Sequence, residues 1–290
     1  MEDIKKVCIE NGITEKFQNA KDMDSENRIF KSESSVIKLY YGKKVDYYYN
    51  ELEVYNGLSG KTYIPKIYSN GEIDDFKYIV MEKLDGMSLF DSWKKMNEIE
   101  REDAVKQISR ILRDINNIKI EKKNFRDKFE NDFNNSYNLL KESSYKKEFI
   151  YIYNDLINNL SNDELCYLIH IDIHFYNFIY RDGKVFAYDF ENTTLAPLDY
   201  QLIRWYRMWL YPDEYYYPTK ALTKEDIKSY NKIMKQLLSE YSEIRNIKNL
   251  DKRVKLYELL YLIKEVNRCN LEDEKVKKYI KTARNVVIYE

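Results

Sequence analysis

Glycine and proline are scarce in this chain, which has 7 glycines and 4 prolines among 290 residues. Their scarcity excludes a collagen-like chain and a flexible low-complexity chain, because both are rich in one or both residues. Apolar residues make up 44% of the sequence and charged residues 33%, which is typical of a globular protein. A chain of this length can bury one sizeable core or form two unequal lobes.

Cysteine is also rare, and long apolar runs are missing. The three cysteines, Cys8, Cys166 and Cys269, lie far apart and lack the spacing of a metal site. Charged residues interrupt every apolar stretch well before the roughly 20 residues that a membrane-spanning helix needs. No charged-then-apolar leader precedes the first helix-like stretch, Glu2–Asn11. The sequence therefore predicts a cytoplasmic protein with no membrane partner.

Neither charge sign is in large excess, since the formal net charge is −1. Such a chain has no bulk attraction to nucleic acid or to an anionic membrane, so a charged partner must be bound by a local patch. We therefore expect a small-molecule partner and no nucleic acid. These features leave the oligomeric state open.

The first third of the chain has the pattern of short strands around one helix. Four segments carry β-branched or aromatic residues and are predicted strands: Ile13–Asn19, Arg28–Lys31, Val36–Tyr41 and Tyr78–Glu82. Val45–Leu58 is a predicted helix, which Gly57, Gly60 and Pro65 bring to an end. This region is expected to form a β-rich lobe.

The remainder of the chain is mainly helical, with one return of strand character. The predicted helices are Ser88–Lys95, Glu100–Ile120, Asn131–Glu142, Glu148–Leu160, Lys224–Tyr241 and Lys252–Arg268. The predicted strands are Cys166–Ile171, Asn177–Tyr180 and Lys184–Asp189. The Asp182–Gly183 pair is a strong hairpin signal between the last two strands.

Both histidines of the chain lie in one segment, which runs from His170 to Asn177 and reads HIDIHFYN. A second segment, Asp189-Phe190-Glu191, follows the predicted hairpin. Phosphoryl transfer needs an acceptor for the proton of the attacking hydroxyl and oxygen ligands for Mg²⁺. Asp172 suits the first task, and Asn177 with Asp189 suits the second, because Mg²⁺ prefers a few protein oxygens together with phosphate and water.

These two segments resemble the signature of the aminoglycoside phosphotransferases, choline kinases and their relatives, His-x-Asp-x-x-x-x-Asn followed by Asp-Phe-Glu or a variant. The resemblance implies an α+β, two-lobed protein-kinase-like fold, with a small β-rich N-lobe in residues 1–84 and a larger, mainly helical C-lobe in residues 85–290. It implies a kinase that uses Mg²⁺ and transfers the γ-phosphoryl of ATP or GTP to a hydroxyl of a small molecule. His170 and His174 are then expected to support the catalytic loop.

A lysine on a predicted strand also fits the sequence pattern of this family. Lys38 resembles the kinase lysine that contacts the α- and β-phosphates, and Glu51 follows thirteen residues later in the predicted helix. We expect an ion pair between them that holds Lys38 in place. Glu53 is a competing partner, but the order Glu51, Leu58, Pro65 fits the family segment better.

Two further nucleotide contacts follow from position in the family pattern. The backbone of Glu82 and Leu84 is expected to meet the adenine edge, as the hinge between kinase lobes does. The glycine-rich phosphate loop of protein kinases is absent, because no glycine occurs between Gly12 and Gly42. Small-molecule kinases of this type often use serine or asparagine there, so Ser25 and Asn27 are candidate phosphate contacts.

The sequence departs from the family pattern at two further places. Ile171 follows the first histidine, where relatives usually have a small residue. Relatives often have Tyr-Asp-Leu where this chain has Gln201 in the middle position, and that aspartate normally supports the catalytic loop. Asp199 stands two positions earlier and is a candidate substitute; the alternative is that the support is lost.

The acceptor is expected to be a hydroxylated cation, aminoglycoside-like ahead of choline. Glu191, Asp213 and Glu214 are the candidate substrate contacts. Further acids recur later in the chain and could attract ammonium groups: Glu258, Glu265, Glu272, Asp273 and Glu274. Most such acids on charged helices are instead expected to pair with neighbouring lysines on solvated faces.

Other functions stay open at this point. One is a choline or ethanolamine kinase, and another is a catalytically silent kinase-like protein that binds nucleotide. A protein kinase is disfavoured, because the glycine-rich loop is absent and no Ala-Pro-Glu segment follows Asp189-Phe190-Glu191.

Overall fold

The fold is known from a computed structural model that describes residues 2–20, 28–120, 124–141, 144–210, 235–269 and 271–285. The chain divides into two compact units. The first unit consists of Met1–Ile118 and His174–Thr193, and the second of Lys119–Ile173 and Thr194–Glu290. These units do not coincide with the predicted lobes, residues 1–84 and 85–290, because residues 85–118 and 174–193 pack with the first unit. The lobes themselves stay a prediction.

The secondary structure alternates between short strands and helices up to Ala196 and is helical thereafter in the described residues. The strands are β1 Gln18–Asn19, β2 Arg28–Lys31, β3 Ser35–Tyr41, β4 Ile67–Ile73, β5 Phe76–Glu82, β6 Met87–Ser88, β7 Tyr167–His170, β8 Phe178–Arg181, β9 Lys184–Ala187 and β10 Thr193–Ala196. The helices include α1 Glu2–Glu10, α2 Val45–Gly57, α3 Leu89–Trp93, α4 Glu98–Asn116, α5 Phe125–Leu139, α6 Ser144–Leu156, α7 Leu202–Leu210, α8 Leu250–Cys269 and α9 Asp273–Asn285.

An antiparallel sheet in the order β1-β2-β3-β5-β4 forms the centre of the first unit. Strands β3 and β5 pair over seven residues, from Ser35 opposite Glu82 to Tyr41 opposite Phe76. Both are rich in β-branched and aromatic residues, which suit a pleated and buried surface. One face packs against the apolar face of α1, with Ile4 and Val7 among the buried residues of that cluster. The strands predicted around Lys38 and Tyr78 are thereby confirmed.

Two strand predictions in this region need correction. The predicted strand Ile13–Asn19 is reduced to the two residues of β1. Strand β4 was not predicted, because its central residues Ser69, Asn70, Gly71 and Glu72 have low strand propensity. Pairing with β5 overrides that preference. A Cβ atom at position 71 would lie 2.8 Å from the Tyr78 hydroxyl, so the close packing of β4 on β5 favours glycine there.

The β8–β9 hairpin completes the first unit and confirms the predicted turn. Asp182 and Gly183 both have positive φ, 50° and 74°, which the tight turn between right-twisted strands requires. Gln107 on α4 holds this hairpin, because its amide donates to the Gly183 carbonyl at 2.8 Å and accepts from the Val185 N–H at 2.9 Å. Helix α4 begins at a capping box between Asn97 and Glu100.

The second unit is a helical assembly around an aromatic and aliphatic core. Phe129, Phe133 and Phe149 from α5 and α6 are almost fully buried with Tyr257 and Leu260 of α8. Strand β7 pairs with β10 beside these helices. Helix α5 begins earlier than predicted because the Asn124 side chain accepts a hydrogen bond from the Asp127 N–H and caps the helix.

The C-terminal helices agree with the sequence patterns only where the structure describes them. Helix α8 confirms the prediction for Lys252–Arg268 and extends it by a few residues. The predicted helix Lys224–Tyr241 lies mostly outside the described residues; of its described part, 235–241, residues 235–240 are helical. Within the ranges that the structure describes, no helix has both the length and the apolar character needed to cross a membrane.

Candidate functional site

Lys38 lies in the middle of β3 and is only 3% exposed. Its ammonium donates to both carboxylate oxygens of Glu51 on α2, at 3.0 Å each. The predicted ion pair between Lys38 and Glu51 is therefore confirmed. The competing residue, Glu53, is exposed because it lies on the opposite side of the same helix turn.

Glu51 is enclosed by hydrogen-bond donors. The Tyr40 hydroxyl donates to Oε2 at 2.5 Å and the Tyr55 hydroxyl to Oε1 at 3.0 Å, so each oxygen accepts two hydrogen bonds. Burial, reinforced by the charge of Glu51, raises the pKa of both phenols far above the ordinary tyrosine value. Both therefore remain protonated donors. Four hydrogen bonds from three donor groups occupy the acceptor sites of the carboxylate, which leaves Glu51 suited to hold Lys38 and unsuited to bind a metal ion.

Two further carboxylates meet Lys38 from the turn Phe190–Asn192, which follows β9. The Lys38 ammonium lies 2.5 Å from Asp189 Oδ1 and 3.9 Å from Glu191 Oε2. Burial alone would lower the pKa of Lys38, but the charges of Asp189, Glu51 and Glu191 outweigh burial and raise that pKa above the ordinary lysine value. Lys38 is thus a fixed positive charge at neutral pH.

Asp189 begins this turn in an uncommon backbone conformation, with φ at 65° and ψ at 59°. Aspartate tolerates the left-handed region better than most residues, and such conformations are often found at functional sites. Helix α2 supports the turn from the other side. The Asn50 amide donates to the Glu191 carbonyl at 3.2 Å, and the rings of Tyr55 and Phe190 pack edge to face. Sequence reasoning missed Asn50, which carries no motif of its own.

The carboxylates of Glu51, Asp189 and Glu191 offer oxygens within 4.8 Å of one another. With one lysine among three carboxylates, the group has a formal charge of −2, which a divalent cation would neutralise. Since the Glu51 oxygens already accept four hydrogen bonds, the carboxylates of this group that could bind a metal ion are those of Asp189 and Glu191. Hard carboxylate oxygens of this kind fit Mg²⁺.

Asn177, the other predicted metal ligand, lies at the same end of the β8–β9 hairpin as Asp189. Phe178 pairs with Ala187 at the last rung of the hairpin, and the Tyr188 N–H donates to the Asn177 carbonyl at 3.2 Å. Asn177 lies just before β8 begins, and Asp189 lies two residues after β9 ends. The hairpin therefore brings Asn177 and Asp189 to the same edge, which their predicted role as joint metal ligands requires.

Asp172, the predicted proton acceptor, belongs to the second unit, two residues after the end of β7. Its Oδ1 lies 2.6 Å from Nη2 of Arg204, in the first turn of α7. The two side chains are 13% and 23% exposed, so water screens the pair only partly. Sequence reasoning did not identify Arg204, because no motif places an arginine there.

His170 ends β7 and is 1% exposed, while His174 is half-buried with its ring 6.2 Å from that of Tyr176. These positions are compatible with support of the loop between β7 and β8. That role stays a prediction for both histidines.

Asp199, the candidate substitute for the missing family aspartate, is fully buried in the turn Leu198–Gln201. It accepts two hydrogen bonds from the Arg253 guanidinium, at 2.6 and 3.0 Å, and one from the Tyr257 hydroxyl at 3.1 Å. Its carboxylate is thus bound to α8. The turn itself packs against β7, the strand that ends two residues before Asp172. The role of Asp199 as the substitute stays a prediction.

Comparison with known proteins identifies the family. The sequence profile of the phosphotransferase enzyme family, abbreviated APH, matches residues 23–218, which is more than half of the chain. The chain belongs to the phosphotransferase enzyme family. No curated protein sequence matches this phosphotransferase significantly.

Solved structures share the fold of this phosphotransferase over nearly its whole length. The ADP-bound aminoglycoside phosphotransferase APH(2'')-Ib has a TM-score of 0.68 at 17% identity, covering 98% of this chain and 96% of its own. The amicoumacin kinase hAmiN, in complex with AMP-PNP, Ca²⁺ and Ami, has a TM-score of 0.62 at 14% identity, covering 99% and 97%. A choline/ethanolamine kinase family protein from Mesorhizobium loti has a TM-score of 0.60 at 10% identity, covering 97% and 91%.

These similarities confirm the predicted fold class. The phosphotransferase has the α+β, protein-kinase-like fold, with a β-rich N-terminal region and a mainly helical C-terminal part. At these identities the neighbours establish the fold alone.

The remaining nucleotide candidates are only partly described. At the predicted hinge, the Glu82 N–H donates to the Lys66 carbonyl at 2.8 Å, so an adenine contact at Glu82 must use its carbonyl oxygen. Leu84 lies two residues after the end of β5. Ser25 and Asn27 lie outside the described residues. All four assignments stay predictions.

The acids predicted to face the acceptor are not gathered in one place by the described contacts. Glu191 lies beside Lys38, and Asp213 and Glu214 lie outside the described residues. Three of the later acids are paired with basic residues: Glu258 with Arg207, Glu265 with Arg268 and Glu274 with Lys277. The expected pairing with neighbours on a solvated helix face is therefore observed for Glu265 and Glu274, whereas Glu258 is buried and its partner comes from a different helix.

Proposed function

We propose that this phosphotransferase transfers the γ-phosphoryl of a nucleoside triphosphate to a hydroxyl of a small molecule. The observation that carries the proposal is the buried Lys38–Glu51 pair with Asp189 and Glu191 beside it. A lysine held by glutamate and placed against acidic metal-ligand candidates is the arrangement with which kinases bind the phosphates of Mg²⁺·ATP. A purely structural ion pair would not require the two additional carboxylates.

The nucleotide end of the reaction is assigned to the first unit. Lys38 contacts the α- and β-phosphates, Glu51 holds Lys38 in place, and the backbone at Glu82 and Leu84 meets the base. Asp189 and Asn177, with Glu191 nearby, would hold Mg²⁺, which when bound neutralises phosphate charge. Two structural neighbours support a nucleotide donor, since one contains ADP and the other AMP-PNP with Ca²⁺.

The acceptor end is assigned to Asp172. Its carboxylate accepts the proton of the attacking hydroxyl as the new oxygen–phosphorus bond forms and the bond between the β- and γ-phosphates breaks. The products are a phosphorylated acceptor and a nucleoside diphosphate. Asp172 precedes Asn177 by five positions, which matches the interval between these two roles in the family signature.

The acceptor we propose is a hydroxylated amine of the aminoglycoside class. Support comes from the aminoglycoside phosphotransferase among the structural neighbours and from the acids Asp213 and Glu214 that follow the catalytic segment. Choline or ethanolamine is the alternative, since a protein of the choline/ethanolamine kinase family shares the fold at a comparable TM-score.

Steady-state release of nucleoside diphosphate tests this proposal. The purified protein is given ATP or GTP with Mg²⁺ and, in separate reactions, aminoglycosides, choline, ethanolamine, neutral sugars or nucleosides. We expect acceptor-dependent turnover with an aminoglycoside, faster at low salt because screening weakens attraction by exposed acids. Turnover with neutral sugars alone would contradict the acceptor class, and nucleotide binding without turnover of any acceptor would contradict the phosphotransfer itself.

A further inference from the structure

Arg204 is the residue that the structure adds to this site. We infer that Arg204 is a positioning residue for Asp172, which it holds ionised and in one orientation as proton acceptor. The inference rests on the proposed function, because it assigns a partner to the residue that accepts the proton there. Its basis is the contact between Arg204 Nη2 and Asp172 Oδ1 at 2.6 Å, within one unit of the chain.

Helix α7, which carries Arg204, is anchored by a second arginine three residues later. Arg207 and Glu258 of α8 form an ion pair in which both side chains are almost completely buried. The Arg207 guanidinium also lies 4.2 Å from the centre of the Tyr261 ring. Breaking such a buried pair by removing one partner is strongly destabilising, so the position of α7 against α8 is well determined.

The turn before α7 is anchored to α8 as well. Asp199 binds Arg253, which also donates to the Asn159 carbonyl at 3.1 Å and pairs with Glu164. The turn that leads into α7 is therefore held in place by α8, and Arg204 lies in the first turn of α7. Because the planar guanidinium loses little freedom on binding, it can hold a carboxylate in a defined orientation.

Arg204 also provides a candidate support for the catalytic segment in place of the family aspartate that is missing at Gln201. The family aspartate at that position is replaced by an amide, and the Gln201 side chain donates to the Leu198 carbonyl at 2.9 Å in its own turn. Asp199 is bound to α8. In the second unit, the ionic contact observed on Asp172 comes from Arg204. The charged residue that supports the catalytic segment therefore lies three positions after Gln201, and it is a cation where the family has an anion.

A cation at this distance has two consequences for a proton acceptor. It favours the charged form of the carboxylate, which is the form that can accept a proton. It also restricts the rotation of the side chain, which keeps the acceptor oxygen oriented. A residue that acts in this way changes turnover far more than nucleotide binding.

The test compares Arg204→Ala, Arg204→Gln and Arg204→Lys with the exposed control Arg268→Ala. We expect Arg204→Ala and Arg204→Gln to lower kcat by about 10- to 100-fold while the nucleotide KM changes less than about twofold. The acid limb of the pH–rate profile should move to higher pH, since loss of the cation makes Asp172 easier to protonate. Arg204→Lys should recover part of the rate, and the control should behave as wild type.

Thermal unfolding of each variant separates positioning from folding. The inference is overturned if kcat is unchanged in Arg204→Ala, or if kcat and nucleotide KM change together with an unmoved acid limb and no recovery in Arg204→Lys. If Arg204→Ala does not fold, the same criteria apply to Arg204→Gln and Arg204→Lys.

An activity-independent measurement keeps this inference distinct from the proposed function. Carboxyl NMR titration of ¹³C-labelled protein, with Asp172 assigned from the Asp172→Asn variant, should show a higher Asp172 pKa in Arg204→Gln than in wild type. A wild-type protein without turnover would contradict the proposed function, while an unchanged Asp172 pKa would contradict the inference about Arg204.

Discussion

Glu51 and Glu53 lie two residues apart on α2 and differ in burial. Glu51 is fully buried and accepts hydrogen bonds from Lys38, Tyr40 and Tyr55, whereas Glu53 is exposed. The order of Glu51, Leu58 and Pro65 predicted the correct partner for Lys38, although spacing alone did not separate the two glutamates.

These two glutamates form a matched pair of variants. Glu51→Gln keeps the shape of the side chain but removes its charge, so Lys38 should lose one of its charged partners and be held mainly by Asp189. We expect the nucleotide KM to rise about 10-fold or more, equivalent to at least about 1.4 kcal/mol of binding free energy. Glu53→Gln should have wild-type kinetics. Equal kinetic effects of the two substitutions would contradict this account of Lys38.

Asp172 should control kcat and have little effect on nucleotide affinity. Asp172→Asn removes the proton acceptor and leaves Lys38 and the metal ligands in place, so kcat should fall by about 10² or more with nearly unchanged nucleotide affinity. Isothermal titration with a non-hydrolysable nucleotide and Mg²⁺ gives that affinity. Near wild-type turnover in Asp172→Asn would remove the assignment of the base.

At the scale of elements, the structure departs from the sequence patterns mainly at boundaries and edges. Helix α5 begins near Asn124 because a side-chain cap satisfies an otherwise unpaired backbone N–H there. Strand β4 forms because β5 supplies pairing partners for six of its residues, although the local sequence Ser69–Glu72 does not favour a strand. Periodicity detects buried faces, but it does not detect partners distant in the chain.

The start of α4 offers a test of capping in this fold. Asn97 accepts from the Glu100 N–H at 3.0 Å, and Glu100 accepts from the Asn97 N–H at 2.8 Å. Asn97→Ala should lower the free energy of unfolding by about 1 kcal/mol, measured by urea denaturation. Asn97→Asp keeps the acceptor and adds a favourable charge at the helix N-terminus, so it should retain stability. A loss of stability as large in Asn97→Asp would contradict the capping role.

At the scale of the whole molecule, nucleotide binding should be visible as stability. A ligand that binds only the folded chain stabilises it by about 2.7 kcal/mol at 100 times its dissociation constant. We therefore expect Mg²⁺·ATP to raise the melting temperature of the wild-type protein and EDTA to reverse most of that increase. Asp189→Asn should show a much smaller increase, because the carboxylate proposed to hold the metal is neutralised. An equal increase with and without divalent metal would contradict the proposed metal site.

The acceptor class is tested at the scale of the whole molecule. Asp213 and Glu214 lie outside the described residues, and three acids of α8 and α9 already pair with arginine or lysine: Glu258, Glu265 and Glu274. The cationic acceptor that we propose would therefore need acids other than these three. This is why the acceptor panel, and not a single variant, is the decisive experiment.

The sequence by itself indicated the chemistry that we propose for this phosphotransferase. The candidate residues stand out because phosphoryl transfer demands particular functional groups, and the family signature places them at set intervals along the chain: Lys38, His170, Asp172, Asn177 and Asp189. The β-rich beginning, the Asp182–Gly183 turn and the helical remainder follow from local propensity and turn chemistry.

Only the tertiary structure decided which groups hold these residues in place. Arg204, Asn50 and the Tyr40–Tyr55 pair come from helices and strands that are distant in the chain from the residues they contact, or lie on faces that no motif marks. Asparagine and tyrosine are common in this sequence and no motif marks Arg204, so none of these residues stands out. Their roles arise because burial makes an unpaired charge costly, and a particular partner for each charge is selected when the helices and strands pack together.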